Sequence, residues 1–249
     1  MADDVAAHID RKTRLVALSA VQTATGHRTD ISAIGLLARA VGAIVFVDGS
    51  QMVGAMPIAD VLAEIDVLAT SDHKYLLNAG RGVGYCYLSR AVQERFTPIN
   101  AGWKAGRSPY ESFFGPDMDL SPTASRFDSP VSWLAAIGDE VALSVFDTYG
   151  AQVIFDRNRA LARLLREALS EVGWPPMDLP EANHSTIVSV PLAQHSPVAI
   201  VELLKARGVV CSVRDGNLRL SVHLYNDEDD IDRVTQSLAG LDGGPPSGR

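Results

Sequence analysis

Apolar residues in this chain follow two rhythms. From Thr13 to Arg90, short β-branched runs alternate with stretches of helical spacing. The run TRLVALSAV (Thr13–Val21) predicts a buried strand. In DISAIGLLARAVG the apolar positions recur every three to four residues, with Asp30 placed to cap the start and Gly42 to end it. AIVFVDGS predicts a strand that stops at Asp48–Gly49, IADVLAEI a short helix, and DVLATS another strand. GVGYCYLSR predicts a strand that is antiparallel or at an edge. Strands alternating with helices imply an α/β fold with a largely parallel sheet.

From Phe96 to about Ser132 the rhythm fades. Pro98, Pro109, Pro116, Pro122 and Pro130 break it, and aromatic residues are scattered through it, among them Trp103, Tyr110 and Phe127. An irregular segment this long inside a globular chain is usually functional. A long helical pattern follows, from Ser132 to Val172, interrupted near Gly150. The remainder predicts strand (STIVSVPL), helix (PVAIVELLKARG), strand (VVCSV), strand (NLRLSVHLY) and helix (DEDDIDRVTQSLAG), a small α+β unit. The expected division is a large domain over 1–135, a small C-terminal domain over 136–242 and a disordered tail over 243–249 (GGPPSGR).

Composition narrows the function classes. The chain has 249 residues, 47% of them apolar, enough for a sizeable core. Its formal charge of −8 argues against nucleic-acid and anionic-membrane partners, which favour basic surfaces. Cys86 and Cys211 are far apart and form neither a disulfide framework nor a metal cluster. The histidines are equally dispersed, so no metal site is expected, and His223 is expected to pack within the small domain. Asp227–Asp230 reads as the first turn of the last helix, where negative charge suits the helix dipole. The opening MADDVAAHIDRKT has no signal-peptide core and no segment has the length of a membrane span, so a cytoplasmic location is expected.

Two candidate groups fall at strand ends, where open α/β sheets bind ligands. Asp48 ends one strand, and a carboxylate there can hold a pyridinium N–H by a charge-assisted hydrogen bond. Lys74 follows another in TSDHKYLLNAGRGVGYCYLSR, and a lysine partly desolvated in a cleft can condense with an aldehyde. Singly, an aspartate before glycine is commonly a turn residue, and a loop lysine is commonly solvated.

The ordered set is more specific. Asp48-Gly-Ser-Gln51, a short helix, a strand ending in Ser71-Asp-His73-Lys74, and then Gly80-Arg-Gly82-Val-Gly84 resembles the class V aminotransferase group of pyridoxal-phosphate enzymes. That group includes cysteine desulfurases, isopenicillin-N-epimerase-like and kynureninase-like proteins. The resemblance implies a fold-type-I architecture and pyridoxal 5'-phosphate as cofactor. It implies that Lys74 forms the Schiff base and shuttles protons at the substrate α-carbon, and that Asp48 pairs with the ring nitrogen. Gln51 would touch the ring oxygen or the Schiff base, and Ser71 and His73 the phosphate. VVCSVRDGNLRLSVHLYNDEDDIDRV resembles the family's C-terminal end, which assigns the substrate carboxylate to Arg219, with Arg214 a second candidate. RFDSP resembles a loop that reaches a neighbouring subunit's phosphate, the role given to Ser129; Trp103 is a candidate wall of the substrate cleft. Gln22 and Thr25 lie near where the family contacts the cofactor face.

Two departures matter. Family members are longer at the N-terminus, where a further part of the large domain supplies a phosphate-binding turn at a helix N-terminus and a ring that stacks on the cofactor. Without it a sheet edge and apolar helix faces are left uncovered. This predicts either a split enzyme, acting on an amino acid or amine in a hetero- or homo-oligomer with a separate N-terminal-half protein, or a non-catalytic subunit that kept the fold. The second departure concerns the cysteine-bearing loop by which desulfurases make a persulfide. Only six residues separate Ser212 from Arg219, and Cys211 lies in an apolar run. Transamination, epimerisation and C–S or β-elimination remain.

Overall fold

The computed structural model describes residues 2–114, 118–130, 132–193 and 195–241; the expected tail at 243–249 lies outside them. After a short helix α1 (Ala2–Ala6) come β1 (Leu15–Ser19), α2 (Ile31–Ala40), β2 (Ile44–Asp48), β3 (Val67–Ser71) and β4 (Gly84–Leu88). The four strands form one sheet in the order β1-β2-β3-β4. The first three are parallel and β4 runs antiparallel to β3. The β1–β2 register pairs Ser19 with Asp48, so the carboxyl ends of the parallel strands lie side by side.

Local chemistry explains the limits of α2. Asp30 accepts a hydrogen bond from the Ala33 N–H at 3.0 Å, and Gly42 turns the chain out at φ +75°. Ile31, Ile34 and Ala38 on its inner face pack with Val16, Val45 and Val47 of the sheet. The segment read as a helix over IADVLAEI is a 3₁₀ turn at Ala59–Glu64. Its six residues make only two 3₁₀ turns in which to offset the cost of helix nucleation.

The second half begins with α3 (Arg90–Gln93), the irregular segment, and the helices α4 (Trp133–Tyr149) and α5 (Ala151–Glu171). Gly150, at φ +83°, makes the break between α4 and α5 that the pattern anticipates. Then follow β5 (Ile187–Pro191), α6 (Pro197–Ala206), β6 (Ser212–Arg214), β7 (Asn217–Ser221) and α7 (Glu228–Leu238). The strands form an antiparallel sheet in the order β5-β7-β6. β6 is shorter than VVCSV suggests because the Val209 N–H bonds back to the Leu204 carbonyl, which spends those residues on leaving α6. Asp227 caps α7 by accepting from the Asp230 N–H, so the acidic run does form its first turn.

Each half has its own core. Leu161, Leu165, Leu169, Trp174, Leu204 and Leu218 pack between the helices and the C-terminal sheet. Burying each such leucine stabilises the fold by roughly 1.5–3 kcal/mol. The half-buried Cys211 packs on this core, as its apolar setting suggests. Ile187 of β5 joins the other core, beside Val21 and Ile34, and so ties the halves together.

One face is left open. Among the described residues neither β1 nor β4 has a strand on its outer side. Tyr85 and Tyr87 of β4 are exposed. So are Trp133, Leu134, Ile137 and Val141, an apolar stripe at helical spacing along α4. Tyr85 donates a hydrogen bond to Asp139 on the inner face of α4, which ties that helix to β4.

Candidate active site

The strand ends converge on a turn at 22–27 that belongs to both halves. Gly26 sits at φ +75° with its α-carbon against β5; a β-carbon there would lie 2.2 Å from the Ile187 carbonyl oxygen. The Ser185 and Ser189 hydroxyls donate to the carbonyls of Gly26 and Ala24, each at 2.6 Å. This contact brings β7 up to the large sheet. Arg219, half-buried on β7, donates from Nε to the Thr23 carbonyl at 2.8 Å and from Nη2 to Gln51 Oε1 at 3.2 Å. Among the described residues it has no carboxylate partner. An arginine is therefore presented beside Gln51, with its charge uncompensated.

Asp48 is exposed at the end of β2, and Oδ1 accepts from the Ser50 N–H at 2.9 Å. The following turn closes on Gly49, whose amide bonds to the Ala69 carbonyl of β3. Gly54, at φ +88°, then packs on the Tyr75 carbonyl, where a β-carbon would come within 2.3 Å. The Asp48–Gln51 turn and the lysine loop are thus in backbone contact.

The lysine loop is held on both sides. Asp72 is wholly buried; it accepts from Asn78 Nδ2, and its other oxygen lies 3.6 Å from His73 Nδ1. Asn78 Nδ2 also donates to the Ala135 carbonyl of α4 at 2.9 Å. The Ser71 hydroxyl is buried with no hydrogen-bond partner among the described residues. Leu77 adopts φ +68°, a conformation that strains a leucine and that tertiary contacts must hold. Lys74 is exposed rather than partly desolvated; none of the described elements covers it, and its ammonium has no partner among them.

His223 differs from expectation. It is buried, but it reaches across to the lysine loop. Its Nε2 lies 3.0 Å from the Tyr75 carbonyl, and its ring stacks on Tyr75 at 5.6 Å and on Tyr225 at 5.4 Å. Burial pushes the His223 imidazole below its ordinary pKa, so the ring is held neutral. Burial likewise pushes the Tyr75 phenol up, opposed by contacts to Thr186 and by the charge of Arg219. Tyr85 is pushed up to about 12, first by burial and then by Asp139.

The structure bonds Gln51 to Arg219 and packs Gly54, just after the Asp48–Gln51 turn, on the loop that carries His73 and Lys74. Arg214 lies at the exposed end of β6, its Nη1 bonded to the neighbouring Val213 carbonyl. Trp103 belongs to a separate aromatic group with Tyr110 and Phe113. Ser129 is exposed in the same irregular region. No described contact joins these last three to the set. The sequence reading missed Tyr75, Asp72 and Asn78. A buried aspartate next to a His-Lys pair was the one available signal.

With this geometry in view, comparison with known proteins is decisive on family. The sequence profile described as aminotransferase class-V matches residues 1–234. The chain belongs to the class-V aminotransferase family. It is 24% identical to an uncharacterised aminotransferase of Bacillus subtilis, over 93% of this chain and 60% of that relative. It is 25% identical to a cysteine desulfurase of Serratia proteamaculans, over 92% of this chain and 59% of the relative. In fold it is similar to the cystine C–S lyase C-DES, with a TM-score of 0.85 and 24% identity over 98% of this chain and 65% of the other. Another structure of C-DES, a mutant, holds glycine covalently linked to the pyridoxal-phosphate cofactor. These class-V neighbours establish the fold-type-I architecture. The chain spans about three fifths of the length of these relatives. No helix of the described residues is long and apolar enough to cross a membrane.

Proposed function

We propose that the chain is the cofactor-binding part of a pyridoxal-phosphate enzyme acting on an amino acid or amine, and that a further polypeptide completes its site. The carrying observation is that three segments approach one another: the Asp48–Gln51 turn at the end of β2, the Lys74 loop after β3 that is packed behind it, and Arg219 of the second sheet, bonded to Gln51.

The donor set suits the cofactor. Asp48 has one carboxylate oxygen beyond its turn bond, available to a pyridinium N–H. Gln51, whose Oε1 accepts from Arg219, would touch the ring oxygen or the Schiff base. The unpartnered Ser71 hydroxyl and His73 suit a phosphate oxygen. When bound, pyridoxal phosphate supplies an electron sink for the charge left at a substrate α-carbon. Lys74 would hold the cofactor through its amine and would be the group placed to hold or move the proton at that carbon. Arg219 orients the substrate by its carboxylate. The buried His223–Tyr75 stack fixes the backbone from which Lys74 projects.

C–S or β-elimination, transamination and epimerisation all share the proton abstraction these residues support. Burial pushes the Cys211 thiol up, away from the thiolate that persulfide chemistry needs. This weighs against a cysteine persulfide and leaves elimination, transamination and epimerisation open. The open β4 edge and the α4 stripe support a partner chain that adds a strand and walls Lys74.

The test is an absorbance spectrum of the full chain with pyridoxal phosphate, followed by borohydride reduction and peptide mapping. A visible band with the adduct on Lys74 is expected. No adduct, alone or with a co-purified partner, would leave a non-catalytic subunit built on this fold. In the active protein, Arg219→Lys is expected to raise KM for a carboxylate-bearing substrate roughly 10- to 100-fold, the worth of a lost charge-assisted pair. Steady-state kinetics against a decarboxylated analogue checks it, since the analogue's KM should not move.

A further inference from the structure

Between the halves lies a second cleft of about 870 Å³ that the proposed chemistry does not use. Its walls are the turn at Met56–Pro57, one face of α5 and the 3₁₀ turn and loop (181–186) leading into β5. It carries four arginines, Arg28, Arg159, Arg163 and Arg166, against three carboxylates, in a chain of net charge −8. Three of the four arginines recur at positions 159, 163 and 166, one face of α5.

Their charges are unevenly compensated. Arg159 is paired with Asp156 at 2.7 Å on its own helix, and Arg163 only loosely with Glu167 at 3.8 Å. Arg28 and Arg166 have no carboxylate partner among the described residues. Arg166 is half-buried, with Nη1 at a marginal 3.5 Å from the Met177 carbonyl. Its Nε and Nη2 are buried and bonded to no described group. Those two N–H groups form the side-on fork that grips carboxylates and phosphates in pairs. Leaving a charged donor pair out of water without an acceptor is unfavourable. His184 on the opposite wall is pushed below its ordinary pKa, first by burial and then by Arg166, and its Nε2 lies 2.9 Å from the Leu179 carbonyl.

We propose that this cleft binds a small multivalent oxyanion, a phosphorylated or polycarboxylate metabolite, with Arg166 as its bidentate anchor and Arg28 closing on it from the large domain. Arg166 lines the cleft, and seating the anion would require its unpaired Nε–Nη2 edge to turn toward that space. The volume is that of an ordinary small-molecule site. Because Arg28 and Arg166 come from opposite halves, the anion would clamp them together at a point apart from Lys74.

The experiment is calorimetric titration of the full chain, without pyridoxal phosphate, with inorganic pyrophosphate and separately with citrate. Saturable binding of at least one is expected, weakened about tenfold or more in both Arg166→Gln and Arg28→Gln, by the loss of a charge-assisted pair. His73→Gln, which alters the other phosphate candidate, should leave that affinity unchanged. The imidazole resonances of His184 should shift in step with the titration, and its midpoint should move up as the anion arrives. Preference for pyrophosphate or for citrate identifies the phosphate or carboxylate source. Absence of saturable binding by either anion would overturn the proposal. So would binding lost in His73→Gln and kept in both arginine variants. Arg28→Gln, at a partly exposed side chain, gives the answer even if Arg166→Gln is too unstable to assay. None of these outcomes bears on whether Lys74 carries a cofactor, so the two readings stand or fall separately.

Discussion

Lys74→Arg is expected to abolish the borohydride-trapped pyridoxal adduct and lower turnover by roughly 10²–10⁴-fold, the usual worth of a positioned acid–base group. Arginine keeps the positive charge and most of the stem but cannot act as a nucleophile or give up its proton. Fold stability should be nearly unchanged, because the lysine ammonium is exposed and makes no described contact. The variant thus separates chemistry from folding. Denaturation midpoints should match the wild type while the visible band is absent. A band that survives in Lys74→Arg, with the adduct mapped elsewhere, would remove Lys74 from its role. Asp48 would then be the better-founded part of the site.

Gly26→Ala is expected to be the most damaging single substitution to stability. The added methyl group would meet the Ile187 backbone at 2.2 Å, and alanine would be held at φ +75°. Backbone strain of this kind costs about 1–3 kcal/mol. The overpacking adds about 1–3 kcal/mol, since neither backbone can yield like a flexible side chain. Urea denaturation of wild type and variant gives the difference directly. The loss should be accompanied by weaker substrate binding, because the turn also holds the Thr23 carbonyl that anchors Arg219. Gly42→Ala is a useful contrast. Its φ is also +75°, but a β-carbon there meets nothing within 4 Å, so only the strain is incurred.

The parts legible in the sequence were those fixed by local pattern. Asp48, Ser71 and Lys74 stand where hydrophobic runs end, and the runs mark strands whether or not their neighbours are known. Asp30, Gly42 and Gly150 were readable because capping chemistry acts within a turn or two. His223 was misplaced for the opposite reason. Its partner Tyr75 is 148 residues away, and nothing local says that β7 leads back to the lysine loop. The Asp72–Asn78 bond was invisible because Asn78 looks like an ordinary turn residue beside glycines. Leu77 gave no warning either, since leucine is not a residue that advertises φ +68°. The arginine face of α5 reads as an exposed polar face until the halves are folded together.

Asn78 has a further consequence. Its amide nitrogen holds Asp72 with one hydrogen and the Ala135 carbonyl with the other. It is therefore a hinge pin between the loop that bears Lys74 and the helix whose outer stripe lies open. Any chain that seats itself on Trp133, Ile137 and Val141 and shifts α4 would drag that pin along. The position of the Lys74 loop and the seating of such a chain would then be set by one movement.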